Sequence, residues 1–263
     1  MPKLTYSVYD PTGNVTILVS TPVPVPRQPE IAAELMRCEP TAEQVGFLSA
    51  GADGADISLR MAGGEFCGNA SLCAGAHCFF QTGKQRLLVR VSGSDELVPV
   101  SLAQTERSCL TGCVQMPAPL SVSPISLSCG DISYSFTCVR FPGITHLVTE
   151  EALPKSTAES AVRQWCDKLK AESLGIMLYD SARQSLTPLV WVPAADTLFW
   201  ESSCASGTTA IGATLAARAG GAVSVSLREP GGVLSVSADE AGRLTLSGSV
   251  RLIRTVTLPE ASF

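Results

Sequence analysis

The sequence predicts an α/β protein made of two similar halves. Many short apolar runs alternate with polar residues, as half-buried strands do. Two Ala-rich stretches each open on a cysteine directly after strand-like sequence. An offset of 137 residues lays "CGNASLCAGA" over "CASGTTAIGA", pairing Cys67 with Cys204, Gly75 with Gly212 and Ala76 with Ala213. A shared strand-then-helix context on both sides of the match favours duplication over coincidence.

The elements follow in chain order. "YDPTGNVTILVSTPV" opens with a turn at Pro11 to Asn14 and continues as a strand. "PTAEQVGFLS" reads as a short helix with Thr41 as its cap. "DISLRM" alternates as a strand, and the Cys67 segment is a helix that stops at Gly83. "RLLVRVSG", "ELVPVSLA" and "CVQMP" are strands, and "PAPLSVSP", residues 117 to 124, has the composition of a linker. The plan then repeats. "DISYSFTCVRFPGITHLVT" holds two strands, "TAESAVRQWCDKL" a helix, and "LGIMLYD" and "LTPLVWVP" strands. "SCASGTTAIGATLAARAGG" is the second Ala-rich helix, ending in a Gly pair. "GAVSVSL", "GVLSVSAD", "RLTLSGSV" and "RLIRTVTL" close the chain as four strands. The expected domains are 1–117 and 118–250, with the strand at about 251–263 returning to the first.

Composition bounds the function. The 263 residues are 45% hydrophobic and 16% charged, which is a globular balance. No apolar run approaches the roughly 20 residues that span a bilayer. The start "MPKLTYSVYDPTGN" lacks a signal peptide's apolar core, so the expected location is cytoplasmic, with no membrane partner. A net charge of −5 without a basic cluster argues against nucleic acid as a partner. The ten cysteines contain no CxxC pair, and His77 and His146 lie far from Cys109 and Cys113. Free thiols are expected, without metal. The five lysines sit in polar contexts without a recognisable pyridoxal phosphate pocket, so no cofactor is expected.

A cysteine that opens a helix is chemically distinctive. The first turn carries unpaired N–H groups and a partial positive charge. That field favours thiolate. Small residues after the cysteine leave the N–H groups of Gly68, Asn69, Ala205 and Ser206 accessible to a substrate carboxylate. If the halves face each other, Cys67 and Cys204 meet in one cleft. One thiol can then remove a proton while the other delivers one to the opposite face. Cys73 and Cys78 are read as packing residues. A substrate ammonium needs an acceptor, and Glu65, Glu201 and Glu43 are candidates, with Asp196 weaker. Trp200 and Phe199 could wall a ring, although core packing is their more common use.

These motifs resemble the diaminopimelate epimerase family of cofactor-independent racemases and epimerases. "PTGNVTILV" is similar to its opening Gly-Asn segment and gives Asn14. "CGNA" matches its first cysteine motif, "CASG" resembles its second, and "PGITHLV" resembles a Gly-Asn-Pro-His segment and gives His146. The resemblance implies two similar domains, each a curved mixed sheet around a central helix. It also implies an active site in the cleft between them, catalytic Cys67 and Cys204, and a homodimer. Several family positions differ: Ile144 and Ser173 stand where asparagines are usual, "AADTLFWES" replaces a charged run, and "RMAGGEF" is short. A diaminopimelate molecule would leave buried polar groups unpaired, at about 1–3 kcal/mol each. "AGGEFCGNA" with "EQVGF" upstream is more similar to the histidine racemase branch of opine-metallophore pathways. The expected function is therefore histidine racemisation by two-base transfer at the α-carbon. Alternatives are racemisation of another amino acid, diaminopimelate epimerisation, a phenazine-type isomerase, a non-catalytic amino acid binding protein and a thiol-redox switch.

Overall fold

The computed structural model describes residues 3–259. The chain forms two compact units. The first runs to Gln115 and takes in the chain again from Ser247, and the second is Met116–Leu246.

The first unit contains β1 (Lys3–Asp10), β2 (Thr16–Val19), α1 (Gln28–Cys38), β3 (Gln44–Ala50), β4 (Ile57–Met61), α2 (Gly68–Thr82), β5 (Arg86–Val91), β6 (Val98–Glu106) and β7 (Cys109–Gln115). The second contains β8 (Ser121–Cys129), β9 (Ile132–Phe141), β10 (Ile144–Thr149), α3 (Lys155–Leu169), β11 (Leu174–Asp180), β12 (Ser185–Val192), β13 (Thr197–Trp200), α4 (Ala205–Ala219), β14 (Val223–Glu229) and β15 (Gly232–Ala238). The last strand, β16 (Leu244–Pro259), starts in the second unit and ends in the first.

In the first unit the strand order is β1-β2-β3-β4-β5-β6-β7-β16, and β16 pairs back onto β1, so the sheet closes into a barrel. Closure leaves no edge to pair with another chain. In the second unit the order is β8-β9-β10-β11-β12-β14-β15-β16, with β13 beside β12. Both units place parallel pairs at the same points. β2–β3 and β10–β11 are parallel, as are β4–β5 and β12–β14. A parallel pair needs a crossover. α1 and α3 make the first crossover in each unit, and α2 and α4 make the second.

The two kinds of crossover helix differ in composition for a physical reason. α1 and α3 are amphipathic and bury one stripe, Ile31, Ala32 and Leu35 in one and Ala158, Val162, Trp165 and Leu169 in the other. α2 is buried on nearly every side from Gly68 to Ala76, and packs on β2, β4, β5, β6 and β7. α4 is buried from Gly207 to Thr214 and packs on β9, β10, β14 and β15. A helix inside a ring of strands must be apolar all round and thin, which explains the alanines. Each ends on a left-handed glycine, Gly83 at φ 75° and Gly220 at φ 66°.

Three expectations change. "EQVGFLS" is strand β3, and the helix lies upstream at Gln28–Cys38. β3 pairs in parallel with β2 and antiparallel with β4, so Val45 to Leu48 are buried on both faces. Such strands read as continuous apolar runs. The expected linker holds the start of β8, where Pro124 pairs with Thr137. β8 ends the sheet order, and an end strand tolerates proline. The last two expected strands are one, β16. Among the described residues none of the ten cysteines forms a disulfide. Among the described residues, no helix is long and apolar enough to cross a membrane.

Candidate active site

Cys67 is the N-cap of α2 and Cys204 the N-cap of α4. Both are extended, at φ −135° and −126°, and each sulfur accepts an N–H from the first turn. Ala70 N lies 3.4 Å from Cys67 Sγ, and Gly207 N lies 3.3 Å from Cys204 Sγ. Serine or an acid usually makes this cap. Here the capping atom is a sulfur that can gain or lose a proton.

Around Cys67 a hydrogen-bond chain has a fixed direction. Cys67 Sγ donates to Gln44 Oε1 at 3.1 Å. Gln44 Nε2 donates to Asn14 Oδ1 at 2.5 Å and to Thr16 Oγ1 at 2.8 Å. Asn14 Nδ2 donates to Glu43 Oε2 at 2.6 Å. The Glu43 carboxylate thus ends a relay that presents the Gln44 Oε1 acceptor to the sulfur. The same helix buries Cys73, whose thiol is pushed up by burial and further by the Cys67 charge. The backbone of Gly68 and the side chain of Asn69 are buried in the first turn. Glu65 is exposed, and its carboxylate lies over Gly63, where an added Cβ would stand 2.4 Å from Oε2. Its carbonyl accepts from Ser92 Oγ at 2.8 Å, which tethers the loop ahead of Cys67.

Around Cys204 the groups are more heavily charged and more deeply buried. The residue is 4% exposed. Burial pushes its thiol well up, and the carboxylates of Glu201 and Glu229 add to this, while the Ser206 hydroxyl opposes it. Ser206 Oγ is 3.6 Å from Cys204 Sγ and 2.9 Å from His146 Nε2. Burial holds the His146 pKa down to about 3, so the ring is neutral. Its Nδ1 has no partner among the described residues, and in the tautomer with the ring proton on Nε2 the ring donates to Ser206. Ser206 is then free to donate to the sulfur. Ala205 starts the helix and is buried.

Sequence reasoning missed two residues. Gln44 was hidden in the segment read as a helix. Glu229 accepts from Cys204 N at 2.8 Å through Oε2 and from the Thr208 hydroxyl through Oε1. Burial pushes its pKa up to about 8. A sequence signal existed: Val225, Leu227 and Glu229 alternate along one buried face of β14, so an acid stands where an apolar residue is due. The aromatic candidates lie elsewhere. Phe199 is exposed, and Trp200 donates from Nε1 to Glu159 at 2.6 Å, with Lys155 over its ring. Asp196 caps a 3-10 turn in the left-handed conformation.

The class is that of the fold: an α/β protein with a closed barrel and few helices, like proline racemase-like and PhzF-like proteins. A hydroxyproline epimerase from Agrobacterium vitis, solved with trans-4-hydroxy-L-proline, superposes with a TM-score of 0.71 at 13% identity, covering 97% of this chain and 92% of that one. A PhzF-family phenazine biosynthesis protein from Bacillus anthracis gives 0.67 at 13% identity, covering 98% and 100%. At the level of sequence, residues 3–256 match the family described as the histidine racemase CntK N-terminal domain. A histidine racemase of Staphylococcus aureus is 32% identical over 258 residues, 94% of this chain and 92% of that protein. The chain belongs to the histidine racemase family, and is an isomerase.

Proposed function

We propose that the protein interconverts L- and D-histidine without a cofactor, and that Cys67 and Cys204 are its two acid–base groups. The observation that carries this reading is the paired N-cap sulfurs, within a family whose matched relatives are histidine racemases. The duplicated two-cysteine plan is read as that of the diaminopimelate epimerase family. The two units are read as its domains, acting in the cytoplasm as a homodimer.

The scheme requires both sulfurs to reach one α-carbon from opposite faces. The N–H groups of Gly68, Asn69, Ala205 and Ser206 receive the substrate carboxylate, which spreads the charge that develops as the α-proton leaves. The thiolate takes that proton and the thiol returns another to the other face. The products carry the same atoms, and the two sulfurs have exchanged protonation states. The pair titrates as a unit. Glu43, Glu201 and Glu65 are the acceptors for the substrate ammonium, and Asn14 and His146 support the pocket. Glu43 and Glu201 carry the argument best, because Glu43 ends the hydrogen-bond chain that reaches Cys67 and Glu201 acts directly on Cys204, where a cation beside it offsets its charge.

The test is incubation of each common L-amino acid with reduced protein in deuterated water. Histidine should racemise and gain deuterium at the α-carbon. Cys67→Ser and Cys204→Ser should each lose at least about 100-fold in racemisation, the scale of a positioned acid or base. No exchange with any amino acid, or two fully active variants, sinks the reading.

A further inference from the structure

The two cysteine sites are duplicated, but one tethering position is not. Each central helix is followed by a strand, β5 or β14, and a residue at or just past its end hydrogen-bonds the segment that leads into or holds the cysteine. In the first unit Ser92 stands there, bonded to Glu65 O at 2.8 Å and Met61 N at 2.9 Å. It is a neutral tether. In the second unit the residue 137 positions later is Glu229. Thr208, which matches Ser71 at the same offset, turns its hydroxyl to that carboxyl, whereas Ser71 bonds to Cys67 O at 2.7 Å. The second helix start therefore holds an acid where the first holds a hydroxyl.

We propose that Glu229 is a positioning residue that clamps the start of the second central helix and keeps the proton on Cys204 in the free enzyme, making Cys204 the resting acid of the pair. The clamp is bidentate: one oxygen takes the N–H of the N-cap residue itself, and the other takes Thr208 in the first turn. The positive field of a helix start lowers a thiol's pKa. Above about pH 8, where Glu229 ionises, its carboxylate on that N–H cancels the field and adds its own repulsion. Glu201 acts on Cys204 in the same sense, and the Ser206 hydroxyl, backed by neutral His146, acts against both. The inference rests on the two-cysteine reading for its catalytic meaning, but the protonation of Cys204 can be measured without turnover.

The experiment is iodoacetamide alkylation of the full-length reduced protein from pH 6 to 10, with Cys204 and Cys67 followed separately by peptide mass spectrometry. In the parent protein the Cys204 midpoint should lie above about 8.5, the ordinary thiol value. Glu229→Gln keeps an acceptor for the Cys204 N–H and removes the charge. Its Cys204 midpoint should fall by about one pH unit, while that of Cys67 stays in place. Glu229→Asp keeps the charge and should retain a high midpoint. A looser helix start would change the plateau rate and leave the midpoint alone. A parent midpoint at or below 8.5, or a midpoint unmoved in Glu229→Gln, overturns the proposal. Neither result depends on which amino acid is the substrate.

Discussion

Gln44 is the residue on which the first sulfur depends. Its amide cannot be turned over, because Nε2 already serves Asn14 and Thr16, so Oε1 must face Cys67. Gln44→Leu removes three hydrogen bonds and strands the Asn14 oxygen. A stability loss of about 1–3 kcal/mol is expected, read by denaturant unfolding. A fall of about tenfold or more in kcat/KM is expected, read with histidine; unchanged kcat/KM would show that the relay is only structural. The place of the two cysteines at helix starts was legible because the sequence states the motif twice. Gln44 and Glu229 were not, because each acts through tertiary neighbours. Gln44 lies 23 residues from the sulfur it touches and Glu229 lies 25 from the N–H it accepts. Periodicity reports which face a residue occupies, and is silent about which loop lies against that face.

Gly75 and Gly212 show what the central helices require as elements. A Cβ on Gly75 would stand 2.7 Å from Val100 Cγ1, and one on Gly212 would stand 2.5 Å from Val236 Cγ2. Both contacts are with β-branched side chains held in the second strand after the helix, β6 or β15, which have little room to turn. Glycine in mid-helix is intrinsically worse than alanine by about 1 kcal/mol. Here the sign should reverse: Gly75→Ala and Gly212→Ala should each destabilise by about 1–3 kcal/mol through overpacking. Chemical denaturation checks this, and a more stable variant would mean that helix and sheet can separate freely. The offset that paired these glycines was readable in the sequence, as were both Ala-rich helices and their glycine stops. The segment from Pro40 to Ser49 was not. Its continuous apolar run fits a buried helix or a buried strand equally well, and the parallel partner β2 that decides it is a tertiary fact.

At the scale of the whole molecule, the pairing that closes the first unit joins Lys3–Asp10 to residues near the other end of the chain, from Pro259 back to Arg251. Local pattern can mark the last strand as a strand, but it cannot supply this partner or its register. The same division into units makes one electrostatic prediction separable. His146 and Glu229 both lie in Met116–Leu246, and so do all three tryptophans, Trp165, Trp191 and Trp200. Tryptophan fluorescence therefore reports unfolding of the unit that holds both buried groups. His146 has its pKa depressed from 6.5 to about 3, so its contribution to stability is full above pH 6.5 and is lost as pH falls toward 3. Glu229 has its pKa raised from 4.5 to about 8, so its contribution is full below pH 4.5 and is lost as pH rises through 8. Between pH 4.5 and 6.5 the two slopes oppose each other, at about 1.4 kcal/mol per pH unit each. His146→Gln should unmask the second slope, so that its stability relative to the parent improves as pH falls from 6.5 to 4.5. Glu229→Gln should remove the loss between pH 6.5 and 8, about 2 kcal/mol relative to the parent. Urea unfolding followed by tryptophan fluorescence at pH 4.5, 6.5 and 8 measures both differences. If either variant tracks the parent with a constant gap across all three values, that group keeps the same protonation folded and unfolded, and its burial does not govern its charge.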